Sequence, residues 1–287
     1  MGSKQRTLAR VAVAVALVMP LLAVLALGSP AGAAATSKRA TWVWTRPAAK
    51  TLVSWAAKQK LAELFVYVGP DLATSRDLTW VRSVVAQAHS SGIRVAALGG
   101  DTAWIDDPAQ AVAWQRSAVS TGLFDGVHVD LEPWTRGDWD TRRSEVVAGY
   151  LDVLAQLAGA TTLPLEADIA FWLHQVPTAS GSPLDEAVMR RVDAVTVLSY
   201  RNTATGPDSI TDLGAHELAT AVAVGIPCRL AVETNYLGAD AVSRKQTFYG
   251  LGITALTRAL ATVDGVEAGS AAYNGIAVHD YAGWRAL

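Results

Sequence analysis

The sequence has a single cysteine, Cys228, among its 287 residues. One cysteine excludes an intrachain disulfide framework, so stability has to come from packing, which a chain of this length can supply. Cys228 lies in the apolar stretch 226–230, and we interpret it as a buried small residue rather than as a nucleophile.

Several motifs that carry chemistry are also missing. The five histidines form no i, i+4 pair and no H-E-x-x-H, and the sequence has no G-x-S-x-G elbow and no P-loop. No glycine-rich dinucleotide fingerprint follows the first predicted strand. We therefore expect neither a metal nor a cofactor.

Neither sign of charge dominates. The chain has 24 basic and 26 acidic residues, and the first 33 positions hold three of the basic ones and none of the acids, which leaves a net charge of −5 on the remainder. A mildly acidic surface argues against a nucleic-acid partner, which needs a basic stripe. It suits a neutral ligand, and ten tryptophans supply flat faces on which sugar rings can pack.

The pattern of residues 1–33 predicts a secretory signal peptide at the amino terminus. A basic head is followed by the apolar run 11–27 and by Ala31-Gly32-Ala33, which fits the small-residue cleavage rule. The alternative is an uncleaved membrane anchor, since the run is nearly long enough to span a bilayer. We expect a secreted protein, a monomer without membrane contact after cleavage, with a flexible lead-in at 34–40 and one domain at 41–287.

Short β-like runs alternate with helical patterns through this domain. The predicted strands are 41–45, 63–68, 94–99, 126–132, 163–171, 194–200, 229–235 and 275–281, and the predicted helices are 51–60, 79–90, 108–120, 142–158, 184–191, 215–224 and 254–262. Eight such units predict an α/β fold, a single-domain (β/α)8 TIM barrel. An open doubly wound sheet is the second interpretation. The chain ends soon after the eighth strand, so we expect the last helix to be reduced or absent.

The fourth strand carries an unusual set of titratable side chains. His128, Asp130 and Glu132 alternate with Val127, Val129 and Leu131, so the two sets occupy opposite faces of the strand. The apolar face belongs against the outer helices, and the polar face points into the barrel. Crowded acids hold a proton on one of them near neutral pH, and glycosidic cleavage needs such a protonated carboxyl. We expect Glu132, the outermost, to reach the substrate.

Reactive groups of such barrels lie at the carboxyl ends of the strands, on the loops that follow. Polar and aromatic side chains at those ends are candidates for contact with a carbohydrate substrate: Trp44, Asp101, His128, Trp134, Asp168, Trp172, Arg201, Asn235, Asp280 and Trp284. Tyr200 and Glu233 are added as candidate catalytic residues. The segments 134–141 and 202–214 are candidate flexible loops at the same end.

The segment Asp125-Gly126-Val127-His128-Val129-Asp130-Leu131-Glu132 resembles the strand-four signature D-G-x-D-x-D-x-E of glycoside hydrolase family 18, the chitinase-like barrels. By this resemblance Glu132 is the general acid and Asp130 orients the acetamido group of the substrate. His128 stands where the family usually has Asp. Leu198-Ser199-Tyr200-Arg201 is similar to the family's M-x-Y-D and implies that Tyr200 supports the intermediate, with Arg201 in place of the Asp.

Three alternatives remain open. Glu132-Pro133 also resembles the N-E-P of a large clan of retaining glycosidases. In that scheme Glu132 would be the acid/base and Glu233 the nucleophile, with their carboxyl groups about 5–5.5 Å apart. In the second alternative the chain is a non-catalytic sugar-binding barrel. In the third it is a metal-assisted hydrolase in which His279, Asp280 and Asp130 hold a cation. We favour the general-acid hydrolase because the Asp-x-Asp-x-Glu ladder matches at more positions.

Overall fold

A computed structural model describes residues 38–287 of the chain. The predicted signal peptide lies outside the described residues. The first strand begins at Arg39, so the last two residues of the predicted lead-in, 39 and 40, belong to the sheet instead. The described residues fall within one compact unit.

Eight parallel strands close into a barrel in the order in which they occur along the chain. They are β1 (Arg39–Val43), β2 (Leu61–Tyr67), β3 (Arg94–Gly99), β4 (Gly126–Val129), β5 (Leu165–Ile169), β6 (Ala194–Val197), β7 (Cys228–Glu233) and β8 (Tyr273–His279). The predicted (β/α)8 barrel is confirmed. Every strand except β3 ends one to three residues earlier than predicted, and the difference is largest for β4 and β6, whose last three predicted residues lie in the loops that follow.

Helices follow the strands around the outside. They are α1 (Ala49–Lys58), α2 (Asp77–Ser90), α3 (Pro108–Val119), α4 (Arg143–Gly159), α5 (Leu184–Met189), α6 (Ile210–Val224), α7 (Ala241–Gln246), α8 (Gly252–Glu267) and α9 (Tyr281–Ala286). The last helix is reduced to six residues, as expected. Within residues 38–287, no helix combines the length and the apolar character that a membrane span requires.

Two helical segments differ from the prediction. The candidate loop 202–214 ends at Ser209, whose side chain accepts a hydrogen bond from the backbone N–H of Asp212 and so caps α6. Gly214 lies inside that helix, where an added Cβ would be 2.3 Å from Leu230. The helix α7 was not predicted. Its six residues are too few for an apolar period, and Asp240 caps it by accepting from two backbone N–H groups.

Apolar side chains form one core between the strands and helices and a smaller one inside the barrel. The inner core contains Trp42 and Phe65, whose rings meet edge to face with centroids 5.3 Å apart. Below it, the buried Arg229 guanidinium pairs with Glu63 at 2.5 Å and with Glu166 at 2.6 Å. These pairs fill the amino-terminal end of the barrel, so only the opposite end is free to hold a site.

Candidate active site

The carboxyl end of β4 presents Asp130 and Glu132 to the mouth of the barrel. Asp130 follows the strand directly, and its backbone N–H donates to the carbonyl of Gly99 at 2.9 Å. A Cβ on Gly100 would lie 1.9 Å from the carbonyl oxygen of Asp130, so only glycine permits this close approach of the two chains. The end of β3 therefore fixes where Asp130 lies.

Burial and like charge act together on the two carboxyls. Burial first, and then the charge of Asp168, raise the pKa of Asp130 to about 7. Burial first, and then the charge of Asp130, raise the pKa of Glu132 to about 7. Both side chains are half-buried rather than sealed, so each still has a face toward solvent. Glu132 is therefore a carboxyl that keeps its proton close to neutral pH and remains accessible to a ligand.

Asp168 and His128 lie beneath this pair and are both completely buried. The Oδ2 of Asp168 accepts from Trp42 Nε1 at 3.1 Å and lies 3.0 Å from His128 Nε2. The His128 ring stacks on Phe65 at 3.7 Å, and burial lowers the pKa of His128. The expectation that His128 and Asp168 contact substrate is wrong, because neither side chain has exposed surface.

Glu233 ends β7 and is held by four hydrogen bonds. Its Oε1 accepts from the backbone N–H groups of Thr234 and Asn235, both at 2.6 Å, and from the Asn235 side chain at 3.0 Å. Its Oε2 lies 2.8 Å from His279 Nδ1. The other nitrogen of His279 accepts from Trp44 Nε1 at 3.0 Å, which places the ring proton on Nδ1. Glu233 is therefore a buried carboxyl group, 3% exposed, with hydrogen bonds at both of its oxygens.

Tyr200 follows β6 and is half-buried against the aromatic side chains inside the barrel. Burial first, and then the negative charges of Glu233, Asp130, Asp168 and Glu132, raise the pKa of its phenol well above the usual value. The phenol is therefore a neutral hydrogen-bond donor, and its ring lies 6.2 Å from that of His279.

Half-buried aromatic rings surround these groups. Trp44 lies beside Tyr67 with ring centroids 5.7 Å apart, and Trp134 lies beside Trp172 at the same separation. All four rings keep some exposed surface. Tyr67 was missed by the sequence reasoning although it stands at the carboxyl end of β2, the signal used for the other candidates. The sequence offers His279 only as a candidate cation ligand, because only the fold shows that it bridges Trp44 and Glu233.

Several expected substrate contacts have structural roles instead. Trp284 is 5% exposed and packs edge to face on Trp55 at 5.1 Å, in the outer core under α1. Asp280 is buried and caps α9 by accepting from the backbone N–H of Gly283. Arg201 is buried and pairs with Asp208 at 2.6 Å. The expectation that these three side chains contact substrate is wrong, because they are buried and engaged in packing, helix capping and ion pairing.

The remaining candidates lie at the rim. Asp101 is exposed and caps the short turn 102–105 by accepting from the backbone N–H of Ala103. Asn235 is half-buried and joins Glu233 to Asp280 through its amide nitrogen. In the segment 134–141, Arg136 pairs with Asp106 and Asp138, each at 2.8 Å, which ties this predicted flexible loop to its neighbours. Among residues 38–287, no group of three or more His, Cys, Asp or Glu side chains is placed to hold a metal ion.

Comparison with known proteins shows a likeness of fold. No protein-family model matches the chain, and no curated protein sequence matches it. Among solved structures, a chitinase from Chromobacterium violaceum ATCC 12472 has a TM-score of 0.55 and 13% identity over 86% of this chain and 96% of that one. The GH113 β-mannanase AaManA from Alicyclobacillus acidocaldarius has a TM-score of 0.55 and 11% identity over 85% of this chain and 87% of that one.

A third structure is the spore cortex-lytic enzyme SleL from Bacillus megaterium QM B1551, with a TM-score of 0.52 and 11% identity over 84% of this chain and 70% of that one. The chain spans 66% of the length of three other matched structures. At these identities the likeness establishes a fold shared with structures named as a chitinase, a β-mannanase and a spore cortex-lytic enzyme, while function has to be argued from the site.

Proposed function

We propose that the chain is a glycoside hydrolase in which Glu132 protonates the oxygen of the scissile glycosidic bond. One observation carries this proposal: a half-buried carboxyl at the carboxyl end of the barrel, which keeps some exposed surface, has its pKa raised to about 7. A group that is protonated near neutral pH and accessible to ligand meets both requirements of a general acid. The barrel shared with a chitinase, a mannanase and a cortex-lytic enzyme supports the reaction class.

The surroundings of Glu233 favour a mechanism without a carboxylate nucleophile. Glu233 already has four hydrogen bonds and is 3% exposed, so attack on a sugar carbon would need the site to rearrange. A 2-acetamido group on the substrate can supply the nucleophile instead. We therefore propose that the substrate is a polysaccharide or oligosaccharide of N-acetylated sugars, such as the chitin for which the Chromobacterium enzyme is named.

The proposed reaction has two steps. Glu132 gives its proton to the glycosidic oxygen as the C1–O bond breaks, and the acetamido oxygen bonds to C1 to form an oxazolinium ion. The Glu132 carboxylate then takes a proton from water, whose oxygen attacks C1 and opens the oxazolinium ring. Asp130 accepts a hydrogen bond from the acetamido N–H, and the neutral Tyr200 phenol donates to the acetamido oxygen. Trp44, Trp134 and Trp172 offer apolar faces for the sugar rings.

The same proposal includes the setting of the enzyme. The basic head, the apolar run and the small-residue site within residues 1–33 support export of the chain. We propose that the barrel acts outside the cell as a monomer on carbohydrate.

The test is hydrolysis of a defined glycan panel by the wild type, by Glu132→Gln and by Glu145→Gln. The panel contains N-acetylglucosamine oligomers, spore cortex and β-mannan. Glu145 is an exposed acid on α4 and serves as the matched control. We expect cleavage of the N-acetylated glycans, a loss of about 10²-fold or more in kcat for Glu132→Gln, and no change for Glu145→Gln. Binding without turnover by the wild type would favour a non-catalytic barrel, and full activity of Glu132→Gln would refute the assignment.

A further inference from the structure

Asp130 and Asp168 are neighbours across two adjacent strands. Val129 of β4 pairs with Ala167 of β5, so the residues that follow each of them stand side by side. Because side chains alternate along strands, both carboxyls project from the same face, toward the barrel interior. Asp168 is completely buried there, whereas Asp130 is only half-buried.

The two carboxyls of this pair lack a hydrogen-bond donor for one oxygen each. The Oδ2 of Asp168 is bonded to Trp42 and to His128. The Oδ1 atoms of Asp168 and of Asp130 are both buried, and among residues 38–287 neither has a hydrogen-bond partner. Buried carboxyl oxygens are ordinarily satisfied, and each carboxylate can only accept. A proton on one of the two oxygens would satisfy both.

We infer that Asp130 and Asp168 hold one proton between them, and that Asp168 is a positioning residue that fixes the orientation of Asp130. His128 contributes by donating its Nε2 proton to the inner oxygen of Asp168, which leaves the outer oxygen for Asp130. The His128 Nδ1 is buried 4.0 Å from Glu166 and has no hydrogen-bond partner within the described part of the chain, which agrees with the ring proton on Nε2. His128 therefore anchors the pair without neutralising it.

The titration behaviour of the groups agrees with this geometry. Burial, the charge of Asp168 and a hydrogen bond to Asp168 each raise the pKa of Asp130. Burial and then the charge of Glu166 raise the pKa of Asp168 well above its usual value. The titratable groups that interact with the pair from the surrounding elements are Glu132, His128, Glu166, His279, Tyr150 and Tyr200.

For catalysis this inference rests on the proposed function. One oxygen of Asp130 is held by Asp168, so the other is free to accept from a ligand at a fixed position. The pair also carries a single negative charge next to Glu132 rather than two. The shared proton itself is a property of the folded protein and is measurable without any substrate.

The experiment follows the carboxyl carbons of aspartate by 13C NMR between pH 3 and 10 in the wild-type protein. We expect the signals of Asp130 and Asp168 to respond to each other in two coupled steps, one of them near pH 7. Two independent titrations below pH 5 would overturn the inference. This arm needs no variant, so it stands even where a substitution impairs folding.

Asp168→Asn supplies the second arm, with Asp185→Asn as the matched control because Asp185 is also completely buried and lies outside the barrel on α5. Removing the charge of Asp168 should lower the pH at which Asp130 titrates by about one unit or more, whereas Asp185→Asn should leave it unchanged. The acid limb of kcat/KM should move down in parallel. An unmoved Asp130 titration in Asp168→Asn would overturn the inference.

The two proposals fail in distinguishable ways. A coupled titration in a protein that cleaves no glycan would refute the proposed function and leave the shared proton intact. Glycan cleavage by a protein whose two carboxyls titrate independently would refute the shared proton and leave the proposed function intact.

Discussion

Replacing Asp130 by Asn should move the alkaline limb of the pH–rate profile to lower pH. The substitution preserves the size of the side chain and removes the carboxyl whose charge acts on Glu132, so the single negative charge of the pair remains on Asp168, which is not among the groups that raise the pKa of Glu132. The pKa of Glu132 is raised from 4.5 to about 7, by burial first and by Asp130 second. Since burial remains in the variant, the part due to Asp130 is less than half of the shift, or about one pH unit, which corresponds to about 1.4 kcal/mol.

The sign follows from the role of Glu132. A general acid works only while protonated, so activity falls as the pH rises through its pKa. Lowering that pKa brings the fall to a lower pH, from about 7 in the wild type to about 6 in Asp130→Asn. The assay is kcat/KM on an N-acetylglucosamine oligomer between pH 4 and 9, with each profile scaled to its own maximum because Asp130→Asn should also be slower overall.

The control for this experiment is Asp101→Asn, which removes an exposed acid at the same end of the barrel. Its profile should match that of the wild type, since an exposed charge is screened by solvent. An alkaline limb of Asp130→Asn that stays at the wild-type pH, or that moves upward, would refute the electrostatic coupling between Asp130 and Glu132.

Two further predictions concern the support of the site. Gly100→Ala should lower kcat/KM by about tenfold or more and destabilise the protein by about 1–3 kcal/mol, because the Cβ would collide with the carbonyl of Asp130. The control is Gly137→Ala, where a Cβ meets nothing within 4 Å, and this variant should change neither value. His128→Ala should lower the free energy of unfolding by about 3–5 kcal/mol, since a sealed, stacked ring and a hydrogen bond to Asp168 are lost together. Urea unfolding measures the stability change of both variants, and a wild-type stability for His128→Ala would contradict its anchoring role.

Much of the fold could be predicted because its signals are local. The alternation of β-like runs with helical patterns depends on neighbouring residues, and the closed barrel is the architecture that covers both faces of eight parallel strands. Helix α7 escaped prediction because six residues carry too little periodicity. The start of α6 was misplaced because Ser209, a capping residue, was interpreted as part of a loop.

The candidate site could be predicted only in part. The period of two along β4 placed Asp130 and Glu132 at the barrel mouth, because strand geometry fixes which side chains share a face. The partners of each group could not be found in the same way. The contacts from Asp168 to Trp42 and His128 join three strands, and they follow from the register around the closed barrel. Trp284 was misassigned because its position just after β8 does not show that α9 turns it outward onto Trp55.

The central claim is that Glu132 delivers a proton to the leaving oxygen, and the leaving-group dependence of Glu132→Ala tests it most directly. A general acid matters for a sugar alkoxide and matters little for a phenolate that leaves without a proton. We predict that kcat for Glu132→Ala falls by about 10²-fold or more on an N-acetylglucosamine oligomer, and far less on the matching 2,4-dinitrophenyl glycoside. An equal loss on both substrates would contradict the account.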